Sequence, residues 1–531
     1  MKNGLYTMDR VGTSKMHETD VYVGDVSGRP AAWRRLVPII AVTLCVKCLV
    51  AWCFPFTGDE AYLALWGREV AWGYYDHPPV LGWLLYVLEH FGQSPLLLRS
   101  VSVVVSTVVG VGVYAVLRRY DERKAYLAFL FFMFSPANMA FFILSTDAPL
   151  MLFCFLSAFM LFKAESNHSY LCYLLCGIFL GLAFLSKYFA VLLGSSYLVY
   201  LVLGSKDFRR LKGFLLLGLG VVPFAAQNIM WNYGMGWPNL MHNLFNRIRP
   251  DSNPAVNLLC LAAITAYVLT PPVLWFLFAD RRRILRSLRQ KNFRMFGVAS
   301  VVPLCIFLAV SFIKGVRPHW FLSFIPFIFI TVAVLLDKSQ LIRSIRFCIV
   351  FSLVQVGLVI AAPFAPFKML EERLSEGDWA SLVTHLHPQA VLAPLQEYKG
   401  RFVPGTTSYS ISALLEYYGG ERFIVFGKGS RHGRQDDMRT NFKELDGRDI
   451  LVLFHAAKYD PEYGLSFERT ELKHFELQGA EYILLLGYDF DYERYRQTYL
   501  RKIVDGYYKI PNWLCGQGSF FHRKYDFSPE N

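Results

Sequence analysis

Charge is scarce in this chain. Only 18% of its 531 residues are Asp, Glu, Lys or Arg, where a soluble domain carries about 25%. Hydrophobic residues make up 54%, so an ordinary soluble protein is excluded and an integral membrane protein expected. Cysteine is scarce where it could cross-link. Of the 10 cysteines only Cys515 lies in the polar C-terminal region, so no disulfide can form within that region, and the others sit in or beside apolar runs as small hydrophobes. Cys45-Val46-Lys47-Cys48 has a redox spacing but falls inside such a run. Glycine patterns of the P-loop or Rossmann kind are missing, as are internal repeats and low-complexity tracts. No cleavable leader is expected, because the first 35 residues are polar and the first apolar run begins near Leu36.

A membrane-crossing helix needs about 20 mostly apolar residues. Runs of that character fall near 36–54, 96–117, 125–144, 148–163, 169–185, 189–204, 213–230, 258–279, 295–313, 319–336 and 346–363, predicting about eleven spans. The net charge of +13 gathers on one side of such a bundle. Arg34 and Arg35 precede the first run, Arg118 to Lys124 follow the second, and Lys206 to Lys212 and Arg281 to Arg294 lie in later loops of the same side. This is a topology signal and not a nucleic-acid surface, and it places the N-terminus in the cytoplasm. From about Pro366 the texture changes, and short apolar runs at 423–426, 450–454 and 482–486 read as buried strands. The predicted fold is therefore mainly α, a polytopic helix bundle with a C-terminal soluble α/β domain. Its expected parts are a cytoplasmic tail (1–35), a membrane part (36–365) with external loops at 55–95 and 231–257, and an external domain (366–531), which in a bacterium is periplasmic.

Charged residues near a bilayer are costly and usually serve binding or chemistry. Gly58-Asp59-Glu60-Ala61-Tyr62 and Tyr74-Tyr75-Asp76-His77-Pro78-Pro79 set three acids and a histidine in the first external loop. Ala61 to Trp72 is too short to span and suits a helix lying along the outer interface. Thr57 or Asp59 could be its N-cap, but the two prolines also fix the backbone carrying Asp76 and His77. Asp147 in Ser145-Thr146-Asp147-Ala148-Pro149 is either a cap or a second acid facing the same side. Two such acids could activate an acceptor hydroxyl or amine, or hold a cation. Lys187, Arg317 and His319 lie outside against the positive-inside trend, where they either snorkel to headgroups or meet an anionic lipid phosphate. Lys47, inside the first run, is assigned no role. The 231–257 loop carries Asn232, Asn239, His242, Asn243 and Asn246, which suit sugar recognition or an interfacial anchor.

Taken in order, the Asp59-Glu60 pair, Gly-Tyr-Tyr-Asp-His-Pro-Pro, Thr-Asp-Ala-Pro at 146–149 and Ser-Lys-Tyr at 186–188 resemble the bacterial branch of the dolichyl-phosphate-mannose protein mannosyltransferase superfamily. That branch includes the aminoarabinose transferase of lipid A and other family 83 glycosyltransferases. Ser408-Tyr409-Ser410 through Tyr417-Tyr418 is similar to a segment common in such proteins. The resemblance implies a GT-C fold and transfer of a sugar, with inversion, from a polyprenyl-phosphate donor to a cell-envelope acceptor such as lipid A or lipopolysaccharide core. It implies Asp59, Glu60 and Asp147 as catalytic acids. Asp76, His77, Lys187, Arg317 and His319 would meet the donor phosphate or substrate. His77 stands where some relatives have lysine, and Asp76 where some have a metal-ligating glutamate, so a divalent metal stays open. The implied site is an inner-membrane protein's periplasmic face. Two alternatives are a protein O-mannosyltransferase and a flippase or transporter of lipid-linked sugars that does no bond chemistry.

Overall fold

The computed structural model describes residues 29–204, 207–246, 253–282, 294–362, 374–429, 433–511, 513–514 and 518–527. The first ten described helices are α1 (Arg29–Cys53), α2 (Gly58–Arg68), α3 (Val80–Glu89), α4 (Pro95–Leu117), α5 (Glu122–Met133), α6 (Pro136–Met139), α7 (Asp147–Asn167), α8 (Tyr170–Ser186), α9 (Ala190–Leu203) and α10 (Phe208–Met235). Polar side chains set their starts. Ser94 accepts from the Leu97 N–H ahead of α4, Asp121 from Lys124 ahead of α5, and Asp207 from Arg209 ahead of α10, each satisfying an N–H that has no partner inside the helix.

Six described helices are long and apolar enough to cross a bilayer: α1 from Trp33, α4, α7, α10, Arg294–Ser311 and Lys338–Ala361. A pair bent by 95°, Pro254–Leu269 and Pro271–Ala279, makes seven if it is one broken span. The chain is a multi-pass membrane protein, and by length and composition its described helices give six or seven spans where about eleven were expected. α8, α9 and Ile325–Leu335 are apolar helices of only 10–17 residues. The run at 125–144 is split between α5 and α6 at Ser135-Pro136, because proline disfavours helix in the residue before it and lacks an N–H to continue the ladder. Where α8 and α10 pack, a Cβ on Gly177 would fall 2.0 Å from the Leu217 carbonyl oxygen, and one on Gly220 would fall 2.7 Å from that of Leu174. Small residues there let two backbones meet, the usual device of membrane helix pairs.

The C-terminal part holds a five-stranded sheet of β1 (Val403–Thr406), β2 (Ile424–Val425), β3 (Ile450–His455), β4 (Phe467–Leu477) and β5 (Ala480–Phe490), in the order β2-β1-β3-β5-β4. β1 runs parallel to β2 and β3, while β3–β5 and β5–β4 are antiparallel. Strand alternation sorts the core onto two faces. Val452, Phe454, Ile483 and Leu485 pack with Tyr495, Tyr499, Tyr508 and Phe521 on one side, and Leu451, Leu453, Leu484 and Leu486 with Trp379, Val383 and Leu415 on the other. Helix Tyr409–Gly419 connects β1 to β2 and covers this second face.

Candidate active site

α2 is not a surface helix. Ala61, Tyr62, Leu65, Trp66 and Gly67 are buried, because α2 lies between α3 and helix Tyr409–Gly419. A Cβ on Gly67 would fall 2.9 Å from Leu85, and one on Gly58 would fall 2.6 Å from the Ser410 carbonyl oxygen. Thr57 is its N-cap, in a reciprocal capping box with Glu60.

Glu60 and Arg99 form an ion pair buried at 0% exposure each, with Arg99 Nε 2.7 Å from Oε1 and Nη2 2.6 Å from Oε2. Arg99 also donates to the carbonyls of Ala51, Phe54 and Pro55. Glu60 further accepts from Thr57 and from the Leu144 N–H at 2.9 Å. Its lone pairs are thus occupied by protein donors, and its place is structural: it ties the end of α1, the start of α2 and the segment before α7 to one buried guanidinium. Three residues after Leu144 comes Asp147, at most about 11 Å along the chain.

Asp59, next to Glu60, is exposed and accepts from the Tyr409 hydroxyl at 2.9 Å. Asp76 Oδ1 accepts from the Tyr62 hydroxyl at 3.2 Å. The two tyrosines meet edge to face with centroids 5.0 Å apart, so an aromatic pair connects the supports of the two loop acids. Burial first, and then the Asp76 charge, hold the Tyr62 phenol well above its ordinary pKa, so it stays protonated and donates. His77 lies edge-on to Trp66, centroids 5.9 Å apart.

Asp147 and Lys187 are brought together. Lys187 Nζ lies 2.8 and 2.9 Å from the two carboxylate oxygens, with Asp147 3% and Lys187 6% exposed. Ser145 also donates to Asp147. Trp320, in the turn Pro318–Phe321, packs on Phe189 two residues beyond Lys187, at 5.0 Å. In that turn Arg317 is exposed and His319 half-buried.

α10 runs on to Met235, followed by Pro238–Leu240 and a π-turn at Met241–Asn246, so the open loop expected from 231 is largely helical. Its amides serve the protein itself. Tyr188 donates to Asn228 at 2.7 Å and Asn239 at 2.9 Å. Fully buried Asn239 donates to the carbonyls of Tyr74 and Tyr75, and Asn243 to that of Asp76 at 3.3 Å. This network runs from the Lys187-Tyr188 turn to the Asp76 loop. Residues 247–252 of the expected loop, and Cys515, lie outside the described residues. Among the described residues no cluster of three or more His, Cys, Asp or Glu side chains converges as a metal site.

Arg99 is a support that the sequence reading did not name, and Tyr62, Tyr188, Asn239 and Tyr409, which it named within motifs or as candidates for sugar recognition, act here as supports. Arg99 had one signal, as the lone charge in the run 96–117. Lys47 is fully buried and donates to Ser106 at 2.6 Å and Asn138 at 3.0 Å, bracing the break at α6.

The family model for dolichyl-phosphate-mannose-protein mannosyltransferases matches residues 76–231, from Asp76 through most of α10. The crystal structure of ArnT from Cupriavidus metallidurans in the apo state is similar over 86% of this chain and 98% of its own, with TM-score 0.59 and 16% identity. The structure of the same protein bound to undecaprenyl phosphate is similar over the same shares, with TM-score 0.60 and 17% identity. No curated protein matches the chain. The fold is the GT-C fold of ArnT. The likeness to the two ArnT structures shows a shared fold, and the family-model match falls within it, from the Asp76 loop to α10.

Proposed function

We propose that this protein transfers a sugar, with inversion, from a polyprenyl-phosphate donor to a cell-envelope acceptor at the periplasmic face of a bacterial inner membrane. The observation that carries the reading is the buried Glu60 staple. It holds exposed Asp59 and the segment leading to the Asp147–Lys187 pair to the same guanidinium, in a fold shared with a protein whose crystal structure is bound to undecaprenyl phosphate. The same reading puts the tail 1–35 in the cytoplasm, the bundle at 36–365 and an α/β domain at 366–531 in the periplasm.

The reaction is a direct displacement. An acceptor hydroxyl or amine attacks the anomeric carbon from the face opposite the phosphate. The carbon–oxygen bond to phosphate breaks, and the polyprenyl phosphate leaves with the bonding pair. Asp59 orients the acceptor and takes its proton. Lys187, Arg317, His319 and His77 stabilise charge on the departing phosphate, with Asp147 holding Lys187 in place. Asp76 lines the approach, and Glu60 acts as its structural anchor.

The acceptor is read as lipid A, lipopolysaccharide core or another glycolipid. The description of the matching family model favours a second reading, a secreted polypeptide as acceptor. Mass spectrometry of envelope glycolipids and periplasmic proteins from a deletion strain, complemented with wild type or Asp59→Asn, tests both. Loss of one glycosylated species, restored by wild type alone, is expected. Unchanged profiles would sink the proposal.

A further inference from the structure

Tyr75, one residue before Asp76, is fully buried, and its neighbours belong to both halves of the molecule. Its ring enters the core of the C-terminal part, 5.8 Å from Tyr508 and 5.6 Å from His242. Its carbonyl accepts from Asn239 at 2.8 Å. Its N–H donates to the side-chain oxygen of Gln435 at 2.8 Å, across 360 positions of chain. The Gln435 backbone N–H in turn donates at 3.0 Å to the Tyr62 hydroxyl, the group that donates to Asp76 Oδ1. One residue of the C-terminal part therefore reaches Asp76 by two routes: through the preceding peptide and through the tyrosine that bonds its carboxylate.

We propose that Gln435 is a positioning residue for Asp76, so that the C-terminal part completes the site instead of merely covering it. The proposal rests on the transferase reading above, which makes Asp76 part of the substrate approach. Gln435 is 8% exposed and sits just ahead of Arg439, which pairs with Glu416 of its own part and Glu69 beyond the end of α2. The segment is thus anchored on both sides of the seam. A peptide gripped at N–H and carbonyl by two different parts has little freedom, and a displacement of about 1 Å at a reacting group can cost 100-fold in rate.

The test uses the full chain with two variants at Gln435, and Asp76→Asn beside them. Gln435→Met keeps length but loses the acceptor, and Gln435→Glu keeps an acceptor for the Tyr75 N–H. Neither alters the backbone route to Tyr62. Hydrogen exchange of a peptide covering 73–79, in the purified protein, reads the clamp without reference to activity. The glycosylated fraction of envelope lipid in a complemented deletion strain reads its consequence. The expected result is exchange about 10-fold faster in Gln435→Met and a glycosylated fraction lower by about 10-fold or more. Both should be restored in Gln435→Glu, with β3 and β5 still protected in every variant. Unchanged exchange at 73–79 in Gln435→Met overturns the clamp, whatever the activity. Faster exchange with wild-type glycosylation overturns its role in positioning, as does a Gln435→Glu no better than Gln435→Met. Wild-type glycosylation in Asp76→Asn as well, or a deletion strain with no missing species, overturns the transferase reading of the site; the exchange data then still decide whether Gln435 orders the loop.

Discussion

The Tyr409 hydroxyl donates to Asp59 at 2.9 Å across 350 positions of chain, so the acid that opens α2 is held by the C-terminal part. An exposed carboxylate of this kind is cheap to alter and informative when altered. Asp59→Asn is expected to abolish transfer while leaving the unfolding midpoint unchanged. Tyr409→Phe removes one hydrogen bond, worth about 1 kcal/mol, and is expected to lower transfer by roughly fivefold to tenfold. Glycolipid profiling alongside thermal unfolding checks both, and a Tyr409→Phe strain as fully glycosylated as wild type would separate the contact from function.

Glu60 predicts the opposite pattern. Removing one partner of a buried ion pair leaves the other charge uncompensated, at a cost of about 3–5 kcal/mol. Arg99→Met should therefore unfold at much lower temperature in detergent, or fail to accumulate in the membrane. Asp59→Asn, one residue away from Glu60, should not. A stable Arg99→Met protein would remove the staple from the account of the site.

Lys187 and Asp147 are nearly as buried, and their coupling is measurable. Lys187→Met leaves a buried carboxylate without its partner and should destabilise strongly. In Asp147→Asn/Lys187→Met that charge is gone, so the double variant is expected to regain stability relative to Lys187→Met, by an interaction energy of about 0.5–3 kcal/mol, while remaining inactive. Additive losses would mean the pair is not the unit drawn above.

How much of this was legible in the sequence follows from the range of each interaction. Asp59, Asp76, Asp147 and Lys187 stand out as charges at the ends of apolar runs, so their places could be found, and the runs at 423–426, 450–454 and 482–486 carry β2, β3 and β5. β4 was missed because an edge strand reading Phe-Glu-Arg-Thr-Glu-Leu-Lys-His-Phe-Glu-Leu is mostly exposed, and shows no buried run. The expected spans meet local breaks, where Pro136 ends one run and Thr270, at φ 67°, bends another. The contacts of Gln435 and Asn239 were beyond reach for a different reason. An amide that meets a backbone 360 or 164 positions away leaves no periodicity or spacing to read. Glu60 was read as an acid beside Asp59 because its partner, Arg99, lies 39 residues on, a lone charge inside an otherwise apolar run.

The close approach at Gly58 gives a steric test of the seam. A methyl group there would meet the Ser410 carbonyl oxygen at 2.6 Å, and a backbone oxygen cannot swing aside. Overpacking of this kind costs about 1–3 kcal/mol. Gly58→Ala should loosen helix Tyr409–Gly419 from α2, seen as faster hydrogen exchange in 409–419 with the membrane helices unaffected. Equal protection in wild type and variant would show that the seam yields.

His455 makes stability depend on acid. Burial, and then the positive charges of Lys458 and His385, lower its pKa to about 4, whereas an unfolded histidine titrates near 6.5. The fold thus accepts the neutral ring, which lies 3.4 Å from the Thr384 hydroxyl. Above pH ~6.5 neither state binds the proton and the full stability is present. As pH falls from ~6.5 towards 4 the unfolded chain takes up a proton that the folded one refuses, and about 3 kcal/mol is lost. His455→Gln removes that proton site, so its unfolding midpoint should fall less steeply across this window than that of the wild type. Parallel slopes would show that carboxylates elsewhere, and not this histidine, set the acid limit of the C-terminal part.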